Sequence, residues 1–315
     1  MFWLVYLPIA FAVAIVGTYL FIKFAPANRL TDIPNQRSSH STPIIRGGGI
    51  VFVLLWLLFS ALLFETNYIV LAGIGFAGIG FADDLFDLSA KWRLIAQIII
   101  AALLLYSLAL PAWLLIFYIP CICWSVNLFN FMDGTDGIAA IEAIFVFALG
   151  GILFYWHGAS SYATLSFILV ALVAGFLVWN YPKARVFMGD AGSYFLGSMI
   201  AIFAIIGYQQ YNIPMISWLI MYGVFVFDGT VTLARRILRR QNFLAAHRLH
   251  AYQRLQNACW RHQKILWGVI AINIILFGIA LTVAAWPQYQ LLGLALALVI
   301  LSMAYYGVER IAPYE

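Results

Sequence analysis

Apolar residues run along this chain in long uninterrupted blocks, and polar residues are confined to the short intervals between them. A membrane-spanning helix needs about 20 mostly apolar residues. Blocks at 2–24, 47–64, 67–82, 94–110, 111–128, 138–157, 160–180, 192–210, 214–234, 264–286 and 288–307 meet or approach that length. The pattern predicts an all-α polytopic membrane protein of about 11 transmembrane helices, or about 10 where short blocks share a boundary. Residues 1–315 read as one integral membrane domain, with polar loops near 25–46, 83–93, 129–137, 181–191 and 235–263. The first block lacks the basic n-region of a signal peptide and runs straight into a full-length span.

Charge gives the orientation. Only 9% of residues are charged against 65% hydrophobic, whereas a soluble domain carries about a quarter charged. With the N-terminus outside, all 17 Lys and Arg residues fall on one side, which the positive-inside rule makes cytoplasmic and which leaves the N-terminus periplasmic. The net charge of +5 then reports topology and contact with anionic membrane lipid, not nucleic-acid binding. Cys121, Cys123 and Cys259 are odd in number and read as packing residues.

The polar intervals carry the chemistry. Asn127-Leu-Phe-Asn130-Phe-Met-Asp133-Gly134-Thr135-Asp136-Gly137 sets two amides, two carboxylates and two glycines between apolar runs. If the preceding helix continues through Asn130, the two amides project from one face, and the glycines permit turns and close approaches to a phosphate or sugar. A polar turn between helices is the plain alternative. Asp83 and Asp84 follow a glycine-rich span, with Asp87 a turn further on. Adjacent carboxylates near a membrane repel unless a cation or metal compensates, which fits a metal or proton-transfer site; Lys91 and Arg93 read as the ordinary positive flank of the next span. Asp190 reads either as an N-cap or, with Asn130, as the sparse shell that Mg²⁺ prefers, leaving positions for a pyrophosphate.

Two basic intervals complete the set. Arg37, His40 and Arg46 precede Gly47-Gly48-Gly49, where open N–H groups at a helix start favour an anion; tight helix packing is the alternative. Arg235, Arg236, Arg239 and Arg240 form a stripe whose default reading is a membrane-surface helix. His247, Arg248 and His250 suit gripping a phosphate, and zinc is the weaker alternative because no third ligand is suitably spaced. His157 and His262 read as bystanders.

In order and spacing these motifs resemble the polyprenyl-phosphate N-acetylhexosamine-1-phosphate transferases, related to the peptidoglycan translocase: Asp32-Ile-Pro-Asn35, Arg37-Ser-Ser-His40 and Arg46-Gly-Gly-Gly49, then Asp83-Asp84, the Asn127 to Gly137 stretch, Phe187-Met-Gly-Asp190, and His247-Arg-Leu-His250. The resemblance implies transfer of an N-acetylhexosamine 1-phosphate from a UDP-sugar to undecaprenyl phosphate, with release of UMP, at a bacterial inner membrane. It implies Mg²⁺, for which Mn²⁺ can substitute, held by Asn130 and Asp190. It makes Asp83, Asp84 and Asp136 the catalytic carboxylates, and places Asn127, Asp133, His247, Arg248, His250, Arg37, His40 and Arg46 against the substrates. A homodimer is compatible with it. The peptidoglycan branch carries adjacent histidines where this chain has His-Arg-Leu-His, so the expected donors are UDP-GlcNAc or deoxy sugars such as UDP-FucNAc and UDP-QuiNAc, feeding O-antigen or another surface polysaccharide. A transporter of lipid-linked sugars is the rival reading, and it predicts ionisable groups within spans, where only Glu142 and Asp228 come close. A scaffold presenting its basic loop to lipid leaves the carboxylates unexplained.

Overall fold

A computed structural model describes residues 3–26, 30–32, 43–63, 67–241 and 247–314. Its helices are α1 (Trp3–Phe24), α2 (Gly49–Leu63), α3 (Asn67–Phe86), α4 (Ala90–Ser107), α5 (Ala112–Met132), α6 (Ile138–Trp156), α7 (Ser160–Asn180), α8 (Gly189–Tyr211), α9 (Met215–Met221), α10 (Gly223–Leu238), α11 (Ala251–Asn257), α12 (His262–Ala285) and α13 (Gln290–Ile311). Each apolar block contains at least one of these helices, and 9 of the described helices are long and apolar enough to cross a membrane. The chain is therefore an all-α polytopic membrane protein.

Two blocks depart from simple spans. The 47–64 block is helical only as α2, whose 15 residues reach about 22 Å at 1.5 Å per residue, short of the hydrocarbon core of about 30 Å. The 214–234 block is broken at Tyr222, and α9 and α10 meet at 76°. Backbone that leaves helical geometry inside a membrane protein is tolerated where protein groups satisfy it. The buried Glu142 carboxylate accepts a 2.7 Å bond from Asn273 Nδ2 and so ties α6 to α12. The two ionisable groups that a transporter reading would use are thus engaged in holding helices, Asp228 as described below.

Helix α8 is the axis of the bundle: 94% of its span is buried, the largest share of any. It packs chiefly on α3 and α5, while α7 packs on α6 and α1. Small residues set these distances, as usual in membranes. A Cβ on Gly197 would lie 2.7 Å from the Ser125 carbonyl, and Ser125 Oγ donates to the Gly197 carbonyl at 2.6 Å.

Helices extend further into the polar intervals than the hydropathy pattern predicts. Asp83 and Asp84 lie in the last turn of α3, Asn130 lies in the last turn of α5, and Asp190 in the first turn of α8. Their side chains bond to groups on neighbouring helices and on the adjoining connection, so the helices need not end where polarity begins. Strands β1 (Thr31–Asp32) and β2 (Ile44–Ile45) pair antiparallel, and Ile45 forms a parallel bridge with Val186. That ribbon ties the start of α2 to the start of α8. Gly48 N–H donates to Phe187 O at 2.9 Å and Gly49 N–H to Met188 O at 2.8 Å. At these glycines the N–H groups of Gly48 and Gly49 are therefore spent on backbone and not open to an anion, which favours the close-packing alternative for those two.

Candidate active site

Three helix ends converge. Asn130 Nδ2 donates to Asp190 Oδ1 at 2.6 Å and to Ser193 Oγ at 3.0 Å, which leaves its amide oxygen as an unengaged acceptor among the described residues. The carboxyl groups of Asp83 and Asp190 are near enough to interact directly. Asp83 Oδ2 accepts from Arg93 Nη1 at 2.6 Å and from Tyr194 OH at 3.1 Å; its Oδ1 accepts the Leu88 N–H at 2.8 Å. Arg93 is thus a member of the site and not merely a positive flank. A three-residue connection between α3 and α4 brings it back onto Asp83.

Asp84 faces elsewhere. Its Oδ1 accepts the Asp190 N–H and its Oδ2 the Ala191 N–H, both at 3.1 Å. The N-cap expected of Asp190 is supplied across helices by Asp84, and Asp190 is left to face Asn130 and Asp83. Arg46 Nη2 donates to the Asp84 carbonyl at 2.7 Å and lies 3.6 Å from the exposed Asp87. Gly80, one turn before Asp84, lets α3 and α8 touch, since a Cβ there would overlap the Asp190 carbonyl.

The turn after α5 forms the neighbouring wall. Asp133 is half-buried, and burial together with the Asp84 and Asp136 carboxylates pushes its carboxyl well above the usual range. Asp136 Oδ2 accepts the Ala184 N–H at 3.1 Å and lies 3.2 Å from His262 Nδ1, so His262 is no bystander. Buried Asn180 accepts the Gly137 N–H at 3.0 Å and donates to Val186 O at 2.9 Å, fastening this turn to the 181–188 loop. Asn127 is directed away: its Nδ2 donates to Gln97 Oε1 and to Cys123 O, each at 2.7 Å. Two amides three residues apart therefore serve different helices.

The histidine segment sits over that turn. Tyr252 OH donates to Phe131 O at 3.0 Å, and Gln256 Nε2 bonds to Thr135 Oγ1. His250 is 3% exposed, and among the described residues neither ring nitrogen has a hydrogen-bond partner; Asp228 Oδ1 lies 3.7 Å from Nδ1, beyond hydrogen-bond range. Asp228 spends both oxygens on the Ala251 N–H, at 3.0 and 2.9 Å. The His247 ring lies 5.0 Å from that of His250; burial, His250 and Arg236 push it down to about 4, so it is neutral at pH 7. Arg248 is half-buried and makes no hydrogen bond or ion pair among the described residues. Arg37 and His40 lie outside the described residues.

The basic stripe of α10 is not simply a lipid-facing surface, which corrects the default reading. Arg235 Nη1 bonds to Glu309 Oε2 at 2.8 Å, and the Arg235 and Arg239 guanidiniums lie 5.1 and 4.7 Å from the Tyr314 ring centre. Aromatic faces and a carboxylate from the end of α13 thus engage half-buried Arg235, while Arg239 stays exposed beside the Tyr314 ring.

Among the described residues no three or more His, Cys, Asp or Glu side chains are arranged to chelate a metal. The donor set fits a hard cation of sparse protein coordination instead: carboxyl groups of Asp83 and Asp190 held together, and a fixed amide oxygen on Asn130. Fold and site together define a polytopic membrane protein with a partly buried acidic and amide cluster, walled by a histidine segment, at one end of its bundle. Residues 66–208 match the model for glycosyl transferase family 4. The chain is 30% identical over 274 residues, 78% of its length and 74% of the relative's, to a probable undecaprenyl-phosphate N-acetylglucosaminyl 1-phosphate transferase of Bacillus subtilis strain 168. It is 26% identical over 305 residues to the phospho-N-acetylmuramoyl-pentapeptide-transferase of Geobacillus kaustophilus, covering 83% of this chain and 92% of that one. The corresponding enzyme of Chlorobium luteolum is 30% identical over 305 residues, covering 77% and 80%. The chain belongs to this family of polyprenyl-phosphate hexosamine-1-phosphate transferases, and it is a multi-pass membrane sugar-phosphate transferase.

Proposed function

We propose that this protein transfers an N-acetylhexosamine 1-phosphate from a UDP-sugar to undecaprenyl phosphate, releasing UMP, at the cytoplasmic face of a bacterial inner membrane. The observation that carries the reading is the meeting of Asp83, Asn130 and Asp190 from three different helices. The lipid phosphate oxygen attacks the sugar-bearing phosphorus of the donor; the bond from that phosphorus to the bridging oxygen breaks, and UMP leaves with that oxygen and the electron pair. A phosphate monoester carries about −1.5 to −2 charge at pH 7, so the task is mainly positioning and charge compensation.

Asn130 Oδ1 and the Asp190 carboxylate are the groups that would hold Mg²⁺, or Mn²⁺ in its place. When bound, that ion supplies charge neutralisation on the diphosphate. Asp83, fixed by Arg93 and Tyr194, orients the lipid phosphate or removes its last proton. Asp84 keeps Asp190 in place through the first turn of α8. Arg46, Asp133, Asp136, His247, Arg248 and His250 surround the sugar nucleotide; the two unpartnered nitrogens of buried His250 await polar ligand atoms. Direct attack is favoured over an aspartyl-phosphate route because the acceptor is itself a phosphate and both oxygens of Asp83 already accept donors.

The donor we favour is UDP-GlcNAc or a 6-deoxy relative, with the product entering O-antigen or another surface polysaccharide. The Bacillus relative named for an N-acetylglucosaminyl donor supports it, as does His-Arg-Leu-His at 247–250. The phospho-muramoyl-pentapeptide alternative is favoured only by the names of other relatives. The test is UMP release by purified protein with undecaprenyl phosphate, Mg²⁺ and each donor. Lipid-dependent release with one hexosamine donor, abolished in Asp190→Asn, supports the proposal. Release only with the muramoyl-pentapeptide donor selects the alternative, and no release with any donor from folded protein overturns both.

A further inference from the structure

Helix α11 has 7 residues, too few to be stable alone, so its place over the 131–135 turn is set by what grips it. One face carries Tyr252, bonded to Phe131 O. Arg254, two residues on and so on the opposite face, is 4% exposed. Its Nη1 donates to Glu309 Oε2 at 2.9 Å and to Ala312 O at 2.7 Å. The same Glu309 oxygen accepts Arg235 at 2.8 Å, and Oε1 accepts the Tyr314 N–H at 2.9 Å. The Arg254 guanidinium lies 5.1 Å from the Tyr305 ring centre and 5.8 Å from that of Tyr314. One carboxylate therefore gathers two guanidiniums and the chain beyond α13.

We propose that Glu309, with Tyr305 and Tyr314, is a positioning group for the transferase reaction: it holds α11 against the 131–135 turn and so sets where the His247–His250 segment meets the sugar nucleotide. None of these residues belongs to a motif that the sequence singled out, and none touches the acidic cluster. Without Glu309, two cations that shared an oxygen face each other. Arg254, whose Nε and Nη2 are already unpartnered, loses its carboxylate in a buried setting, which is strongly unfavourable. The helix must shift to reach water, and the histidines that precede it shift with it. The inference rests on the reading of 247–250 as the sugar-nucleotide segment.

Two readouts on the full chain test it: hydrogen exchange of amides 251–257, and the KM of UMP release for each substrate. In Glu309→Gln, exchange in 251–257 accelerates and KM for the UDP-sugar rises about tenfold, a change of the size that small misplacements bring, while KM for undecaprenyl phosphate and exchange in α8 stay at wild-type values. Tyr314→Phe keeps the ring and loses only a hydroxyl that has no partner, so it behaves as wild type; Tyr314→Ala reproduces the KM rise and serves where Glu309→Gln does not fold. Wild-type exchange in 251–257, equal KM changes for both substrates, or Tyr314→Phe as impaired as Tyr314→Ala would each overturn the proposal. If wild-type protein releases no UMP, the functional reading fails on its own, and exchange alone decides whether Glu309 holds the helix.

Discussion

Replacing Gly80 by Ala perturbs the site without removing any of its chemical groups. The added methyl would lie 2.7 Å from the Ala191 nitrogen and closer still to the Asp190 carbonyl, where ordinary contact begins near 3.4 Å. Both neighbours are backbone of the first turn of α8, so no side chain can rotate away. The turn must retreat by about 1 Å, which takes the two 3.1 Å bonds from Asp190 and Ala191 to Asp84 out of hydrogen-bond range. Hydrogen bonds to a charged group contribute about 1.5–3 kcal/mol each, and overpacking costs about 1–3 kcal/mol. With partial relaxation the net destabilisation is about 3 kcal/mol, and a 1 Å displacement of a reacting group lowers turnover about a hundredfold. UMP release and the thermal midpoint in detergent measure the two effects. Gly78→Ala, where nothing lies within 4 Å of the new methyl, is the matched control and behaves as wild type. Gly80→Ala with wild-type turnover and midpoint would refute the argument that this contact sets the position of Asp190.

Asp133→Asn raises the thermal midpoint at pH 7: a carboxyl raised in the folded state by burial and by Asp84 and Asp136 favours folding at low pH and opposes it once ionised, so the gain vanishes toward pH 4. A fall in midpoint at pH 7 would show that repulsion is not what the substitution relieves. His247 carries the opposite sign of dependence, since its folded value near 4 lies below the ordinary 6.5 and the unfolded chain binds the proton more readily between them. Stability therefore rises with pH across that window, and His247→Gln flattens the midpoint–pH curve there; parallel curves would remove this residue from the account. Asn180→Ala strands the Gly137 N–H and the Val186 carbonyl, and at about 1–3 kcal/mol per buried unpaired group it lowers the midpoint measurably; an unchanged midpoint would mean that another group takes over the bridge.

Hydropathy made the membrane helices legible because burial in lipid and burial in protein ask for the same residues. That sameness also hid the break at Tyr222, since a bent helix and a straight one share composition. The acidic and amide residues stood out because polar groups are costly where these lie. Which group each would face was not written locally. Asp83 and Asp84 are neighbours in sequence and point to different tasks, one to Arg93 and Tyr194 and the other to the backbone of α8, because successive helical residues lie about 100° apart. Asn127 shares the periodicity of Asn130 yet meets Gln97 of α4, and only the packing of α5 between two helices decides that. Arg93 was readable in principle: an arginine in the first turn after a three-residue connection faces the last turn of the preceding helix. Arg235 and Arg254 were not, since their carboxylate is 74 and 55 residues away.

Those separations have a consequence for synthesis. Asp83, Asn130 and Asp190 lie on helices made early, and they can assemble as soon as α8 is inserted. Helix α11 follows, yet Glu309, Ala312 and Tyr314, which grip it, leave the ribosome only after α12 and α13. The wall bearing His247 and His250 is therefore the last part of the site to be fixed. A nascent or interrupted chain would display the acidic cluster without it, and the proposed grip on the sugar nucleotide would begin only when α13 is in place.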